Sequence, residues 1–103
     1  MNRQVDCQGP RIRVVGEMTI YTASELWKQV TETVSNHAGA HSLDLSEVTE
    51  FDTAGLQIVL LAQRLASAAG RDLQIIQPSP AVSEVFGLLQ LQAAVGAPVQ
   101  DPA

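Results

Sequence analysis

Apolar positions along the chain alternate between a strand-like and a helix-like rhythm. From Arg11 to Ile20 the run R-I-R-V-V-G-E-M-T-I is short and β-branched, broken at Gly16-Glu17, which predicts two strand pieces joined by a tight turn or bulge. Thr22 and Glu25 then carry the spacing of a capping box, and Ala23, Leu26, Trp27, Val30 and Val34 recur at helical intervals, so a helix with one apolar stripe follows. Asn36 to Ala40 ends it. Ser42 to Ser46 alternates polar and apolar residues as a strand does, with Val48 to Phe51 expected as an irregular connection. A second helix opens at Asp52-Thr53, either of which can cap it, and runs through the apolar stretch Leu56–Leu65 to Gly70. Leu73 to Ile76 makes another strand. Ser79-Pro80 opens a third helix, with Val82, Val85, Phe86 and Leu89 at helical spacing. This alternation predicts an α/β fold with a parallel or mixed sheet.

The second helix carries more apolar surface than one sheet can cover. On a wheel, Leu56, Val59 and Leu60 form one stripe while Ile58, Leu61 and Leu65 form another. If the Leu56 stripe is the one buried, the second faces partly outward, and such a surface marks a protein contact, unless neighbouring elements enclose the whole helix.

Composition and charge narrow the classes of function. The chain has 103 residues, enough for one hydrophobic core, and only four aromatics, so Ala, Val, Leu and Ile must fill that core. Six Lys and Arg against eleven Asp and Glu leave a net charge of −5, which argues against nucleic acid and anionic membranes as partners. The polar start, Met1 to Pro10, lacks a secretory apolar run and no stretch approaches the roughly 20 apolar residues of a membrane span, so no membrane insertion is expected. A lone Cys7 fits a reducing, cytoplasmic setting and supplies neither disulfide nor metal pair. His37 and His41 flank Gly39 without a third ligand, so neither metal nor cofactor is expected. No phosphate-loop pattern or nucleophile elbow occurs, which points away from catalysis. A nucleotide or other small ligand at the second helix's N-terminus is disfavoured by the lack of any Lys or Arg from Leu43 to Gln63.

The segment Asp44-Leu45-Ser46-Glu47-Val48-Thr49-Glu50-Phe51-Asp52-Thr53-Ala54-Gly55-Leu56 resembles the signature of the STAS domain family of anti-sigma factor antagonists and sulfate-transporter appendages, D-L-S-x-V-x-x-x-D-[ST]-[ST]-G-L. Gly16-Glu17-Met18-Thr19 is similar to the family's G-E-L-D turn, and the closing half, from Ala69-Gly70 through Ser79-Pro80 to Leu91, matches in order. The resemblance implies a mixed sheet of about four strands with helices mainly on one face. It places the domain at residues 11–91, with 1–10 as an N-terminal segment or edge strand and 92–103 as a C-terminal tail.

It also implies a non-catalytic protein-interaction module. The implied partner is an anti-sigma kinase or a chemotaxis component, held by Asp52, Thr53, Ala54, Gly55, Gln57, Ile58 and Leu61. In the antagonists a serine before the motif glycine is phosphorylated and the complex breaks; here that position is Ala54, which leaves Thr53 as the candidate phosphosite, and Thr19 replaces the turn's acid. D-T-A-G is similar as well to the motif of a small cytosolic subunit of a phospholipid-trafficking ABC transporter, in which the threonine contacts the ATPase. That role would fall on Thr53.

Overall fold

The computed structural model describes residues 3–88, and their strands join in one mixed sheet of order β1-β2-β3-β4. The elements are β1 (Val5–Gln8), β2 (Arg11–Met18), α1 (Ala23–Asn36), β3 (Ser42–Phe51), α2 (Thr53–Ala68), β4 (Gln74–Ile76) and α3 (Pro80–Leu88). β1 and β2 form an antiparallel hairpin across Gly9-Pro10, whereas β2, β3 and β4 run parallel and are joined through α1 and α2. Parallel neighbours need such crossovers.

The pairing register sorts side chains cleanly between the two faces. Val5 and Val14 pair on one face, as do Cys7, Ile12, Leu43 and Ile75 across all four strands. These apolar residues share one core cluster with Leu26, Val30 and Val34 of α1, Val59, Ala62 and Ala66 of α2, and Val82 and Phe86 of α3. The three helices therefore cover this face. The opposite face is charged: Arg13 lies 3.4 Å from Asp6 and 3.3 Å from Glu47, and Arg11 lies 3.4 Å from the buried Asp44. The two exposed pairs of Arg13 are worth about 0–1 kcal/mol each, so their value lies mainly in keeping that face wet and its register single.

Three expectations need correction. β2 is one continuous strand rather than two pieces, because β3 pairs it from Arg11 to Met18 and absorbs the interruption as register shifts at Arg13/Val15 and Gly16/Glu17. Gly16 sits at φ +87°, and the Gln4 side-chain amide donates to the carbonyls of Val15 (2.8 Å) and Glu17 (3.0 Å) on either side of it. β3 likewise runs on through Val48 to Phe51, since β2 pairs that stretch too. Thr22 is the N-cap of α1 but forms no capping box: its hydroxyl donates to the Glu17 carbonyl at 2.8 Å and accepts from the Thr19 N–H at 3.1 Å. The expected caps of the other helices are present, with the Ser79 hydroxyl accepting from Val82 N–H at 3.3 Å in α3. Leu89 and the tail lie outside the described residues.

Two polar side chains tie α1 to the rest. Gln29, 4% exposed, accepts from the backbone N–H groups of Gln4 (2.8 Å) and Val5 (3.1 Å), where β1 enters the sheet. Arg71, after α2, donates to the carbonyls of Val34 (2.9 Å), His37 (3.0 Å) and Ala40 (3.2 Å) around the C-terminal end of α1. It thereby satisfies carbonyls that the helix leaves open. Cys7 is not activated, because burial first and the neighbouring Asp6 charge second push its thiol upward.

Replacing Gln29 by leucine keeps the volume but orphans two N–H groups. It should cost about 1–3 kcal/mol of unfolding free energy in urea titration and raise amide exchange first at Val5. A change below about 0.5 kcal/mol would show that solvent serves those groups equally well.

Candidate functional site

The site begins with a carboxylate and a glycine at the handover from β3 to α2. Asp52 lies in an extended conformation at the N-cap, and its Oδ1 accepts from Ala54 N–H (2.8 Å) and Gly55 N–H (3.3 Å). Its Oδ2 accepts from Ile20 N–H at 3.1 Å, thirty-two residues earlier. One side chain thus both caps α2 and fastens the loop between β2 and α1 to that cap. The helix N–H groups that a phosphate would use are already taken by this carboxylate.

Gly55 is fixed by contact rather than by backbone conformation. A Cβ placed there would stand 2.4 Å from the Met18 carbonyl oxygen and 3.0 Å from both Met18 Cβ and the Phe51 ring. The first turn of α2 therefore rests directly on the last residue of β2. Phe51 in turn packs against Phe86 of α3, with ring centroids 6.0 Å apart.

The loop above is held as firmly. Thr19 Oγ1 donates to the Glu17 carboxylate and accepts from Tyr21 N–H (3.2 Å), while Thr22 N–H donates to the Thr19 carbonyl (3.0 Å). The threonine at the acid's place in the turn is thus an internal hydrogen-bonding post. On this scaffold Ile20 and Tyr21 are 69% and 89% exposed. They are large apolar residues held in the open by a fixed backbone.

Of the residues expected in a contact surface, the structure brings Thr53, Gln57 and Leu61 onto one exposed stripe of α2, where Leu60 and Arg64 join them. Ala54 is partly covered, and Asp52 and Gly55 serve as the frame beneath. Thr53 is exposed and its hydroxyl bonds no other described residue, since Asp52 rather than Thr53 caps the helix. Ile58 must be corrected: it is 5% exposed and belongs to the core, whereas Leu60, expected inside, is 38% exposed beside Leu61 at 39%. The reason is that α2 packs on α1 as well as on β3. Together they enclose an arc of about 160°, from Ile58 round to Leu56, and the free side centres on Gln57 and Arg64.

Sequence reasoning missed Ile20, Tyr21 and Leu60. Two bulky apolar residues inside a predicted strand-to-helix turn were the available signal for the first two. Leu60 had none, because the wheel gave two stripes and only the position of α1 decides between them. His37 and His41 are engaged locally, with the Thr33 carbonyl and the Ser42 hydroxyl, and no cluster of three potential metal ligands occurs among the described residues. No helix among them is long and apolar enough to cross a membrane.

Residues 1–96 match the family model described as "Mlab, STAS domain". Among solved structures, the chain is similar to the anti-sigma factor antagonist SpoIIAA in its unphosphorylated form, at 18% identity and a TM-score of 0.67 over 89% of this chain and 84% of that one. It is similar also to a candidate anti-sigma factor antagonist of Thermotoga maritima (20% identity, TM-score 0.71, 88% and 80% covered). A third match is the phosphorylated form of the Bacillus cell fate determinant SpoIIAA (18% identity, TM-score 0.61, 89% and 86% covered).

In an ordinary helix, glycine to alanine gains up to about 1 kcal/mol. Gly55→Ala should instead lose about 1–3 kcal/mol in urea unfolding, because the methyl group meets the Met18 backbone. A stabilised Gly55→Ala protein would show that the close approach is absent.

Proposed function

The chain belongs to the STAS domain family, and from that membership we propose that it is a non-catalytic, cytoplasmic protein-interaction module resembling the anti-sigma factor antagonists. Its partner is a signalling protein, either an anti-sigma kinase or a chemotaxis component. The partner rests on Thr53, Ala54, Gln57 and Leu61 with Ile20, Tyr21 and Leu60 beside them. The observation that carries this reading is the exposure of Ile20, Tyr21, Leu60 and Leu61 around a motif whose backbone Asp52 and Gly55 hold still. Apolar side chains presented on a rigid frame lose little entropy when a partner covers them, which favours tight docking over a modest area. Relatives of the fold known in phosphorylated and unphosphorylated forms support a family switch by phosphate. Ala54 has no hydroxyl, so in this chain regulation falls to Thr53, where a phosphate would lie against the Asp52 carboxylate and within the contact surface.

A second reading is favoured by that same alanine. A contact without the family's switch suits a permanent subunit, and the chain then serves as the small cytosolic subunit of a phospholipid-trafficking ABC transporter, with Thr53 against the ATPase.

Affinity capture separates the two, since an ATP-hydrolysing polypeptide copurifies in the second case and a signalling protein in the first. In both, Thr53→Glu and Ala54→Glu should lower partner recovery about tenfold or more, equivalent to about 1.4 kcal/mol, with the unfolding midpoint kept within a few degrees. Tyr21→Ala should weaken recovery as well, by a few-fold, while leaving stability nearly unchanged, since this side chain is largely exposed. Undiminished recovery with all three would remove this surface from consideration.

A further inference from the structure

The outward stripe of α2 ends in a charge without a counterpart. Gln57, Leu60, Leu61 and Arg64 line a shallow concavity of about 230 Å3, apolar in the middle and cationic at one end. Among the described residues the ion pairs involve Arg11 and Arg13, and Arg71 is spent on carbonyls, whereas Arg64 is exposed and meets no carboxylate. Arg3 and Lys28 are likewise exposed and outside any ion pair, but Arg64 lines the same concavity as the exposed Leu60 and Leu61. It is also the first cation after the Lys- and Arg-free stretch 29–63, which includes the rest of the outward stripe of α2.

We propose that this concavity takes a partner helix carrying a large apolar side chain and, one turn away, an Asp or Glu that pairs with Arg64. The inference rests on the protein-binding reading above and adds the chemistry of the partner. Leu60 and Leu61 stand four and three residues before Arg64, one helical turn or about 5 Å along the axis. A facing helix therefore matches both features with an apolar residue and an acid at i and i+3 or i+4. Covering the leucines also shields the ion pair from water, so it strengthens as the contact forms, and its planar guanidinium suits a bidentate carboxylate. A second copy of this chain would offer Glu84 and the exposed Leu88 of α3 at that spacing, but two copies each at −5 repel, which favours a different protein.

The test uses a phage library of helix-forming peptides with one randomised face, panned separately on the wild-type chain and on Arg64→Glu. Peptides from the wild-type arm should be enriched in Asp or Glu one turn from a large apolar residue, and those from the Arg64→Glu arm in Lys or Arg at the same place. Wild-type-selected peptides should bind Arg64→Glu about tenfold more weakly and Arg64→Lys within about threefold, with both variants unfolding as the wild type does. Peptides that depend on Leu60 and Leu61, judged by the double alanine variant, yet show no preference for an acid would overturn the pairing and leave the surface standing. Peptides indifferent to that double variant, or no enrichment at all, would overturn both readings. A concentration-dependent dimer in sedimentation, lost in Arg64→Glu, would replace the separate partner by a second copy and overturn the proposal.

Discussion

The Asp52 carboxylate is the constraint on which the site depends. Its three accepted hydrogen bonds, from Ala54, Gly55 and Ile20, connect an α-helix end to a loop that is remote in sequence. A capping interaction is normally local and worth about 1 kcal/mol. Here the same oxygens also decide where Ile20 and Tyr21 stand, so a side chain that stabilises one helix also positions the exposed residues of another segment. Gly55 completes the arrangement from below, because contact with the Met18 carbonyl leaves α2 no freedom to move toward the sheet without a clash.

Beneath that frame, the molecule divides its polar groups into two kinds. Those on the open face of the sheet are ion pairs, of which the exposed ones that Arg13 makes with Asp6 and Glu47 contribute little individually. Those at the rim of the core, Gln29 and Arg71, satisfy backbone groups that folding would otherwise strand, and the penalty for losing them is larger than any surface pair is worth. Stability and display are thereby separated. The core and its rim hold the fold, and α2's outward stripe remains uncovered.

Much of this was legible in the sequence because it depends on local rules. The D-T-A-G cap, the Ser79-Pro80 helix start, the two strand rhythms and the apolar stripe of α1 are all written within a few residues of where they act. What was not legible depends on neighbours distant in the chain. Gly16 reads as a break until β3 pairs across it, and Thr22 reads as half of a capping box until Glu17 and Thr19 claim its hydroxyl. Ile58 and Leu60 exchanged places because the packing of α1 against α2, absent from any wheel, decides which stripe is covered. In the site, the motif residues were legible and the flanking Ile20 and Tyr21 were not, since their exposure follows from a tether made by Asp52.

The hold of Gln29 on β1 has a further consequence. β1 is the outer strand on its side of the sheet and spans only four residues. An outer strand presents unpaired N–H and C=O groups, which is the usual template for fibril growth and domain exchange. With the N–H groups of Gln4 and Val5 already bound to Gln29, that template is shortened at its start. Fewer free backbone donors are thereby left for a second strand to pair with at that end, even though the chain leaves apolar residues uncovered elsewhere on its surface.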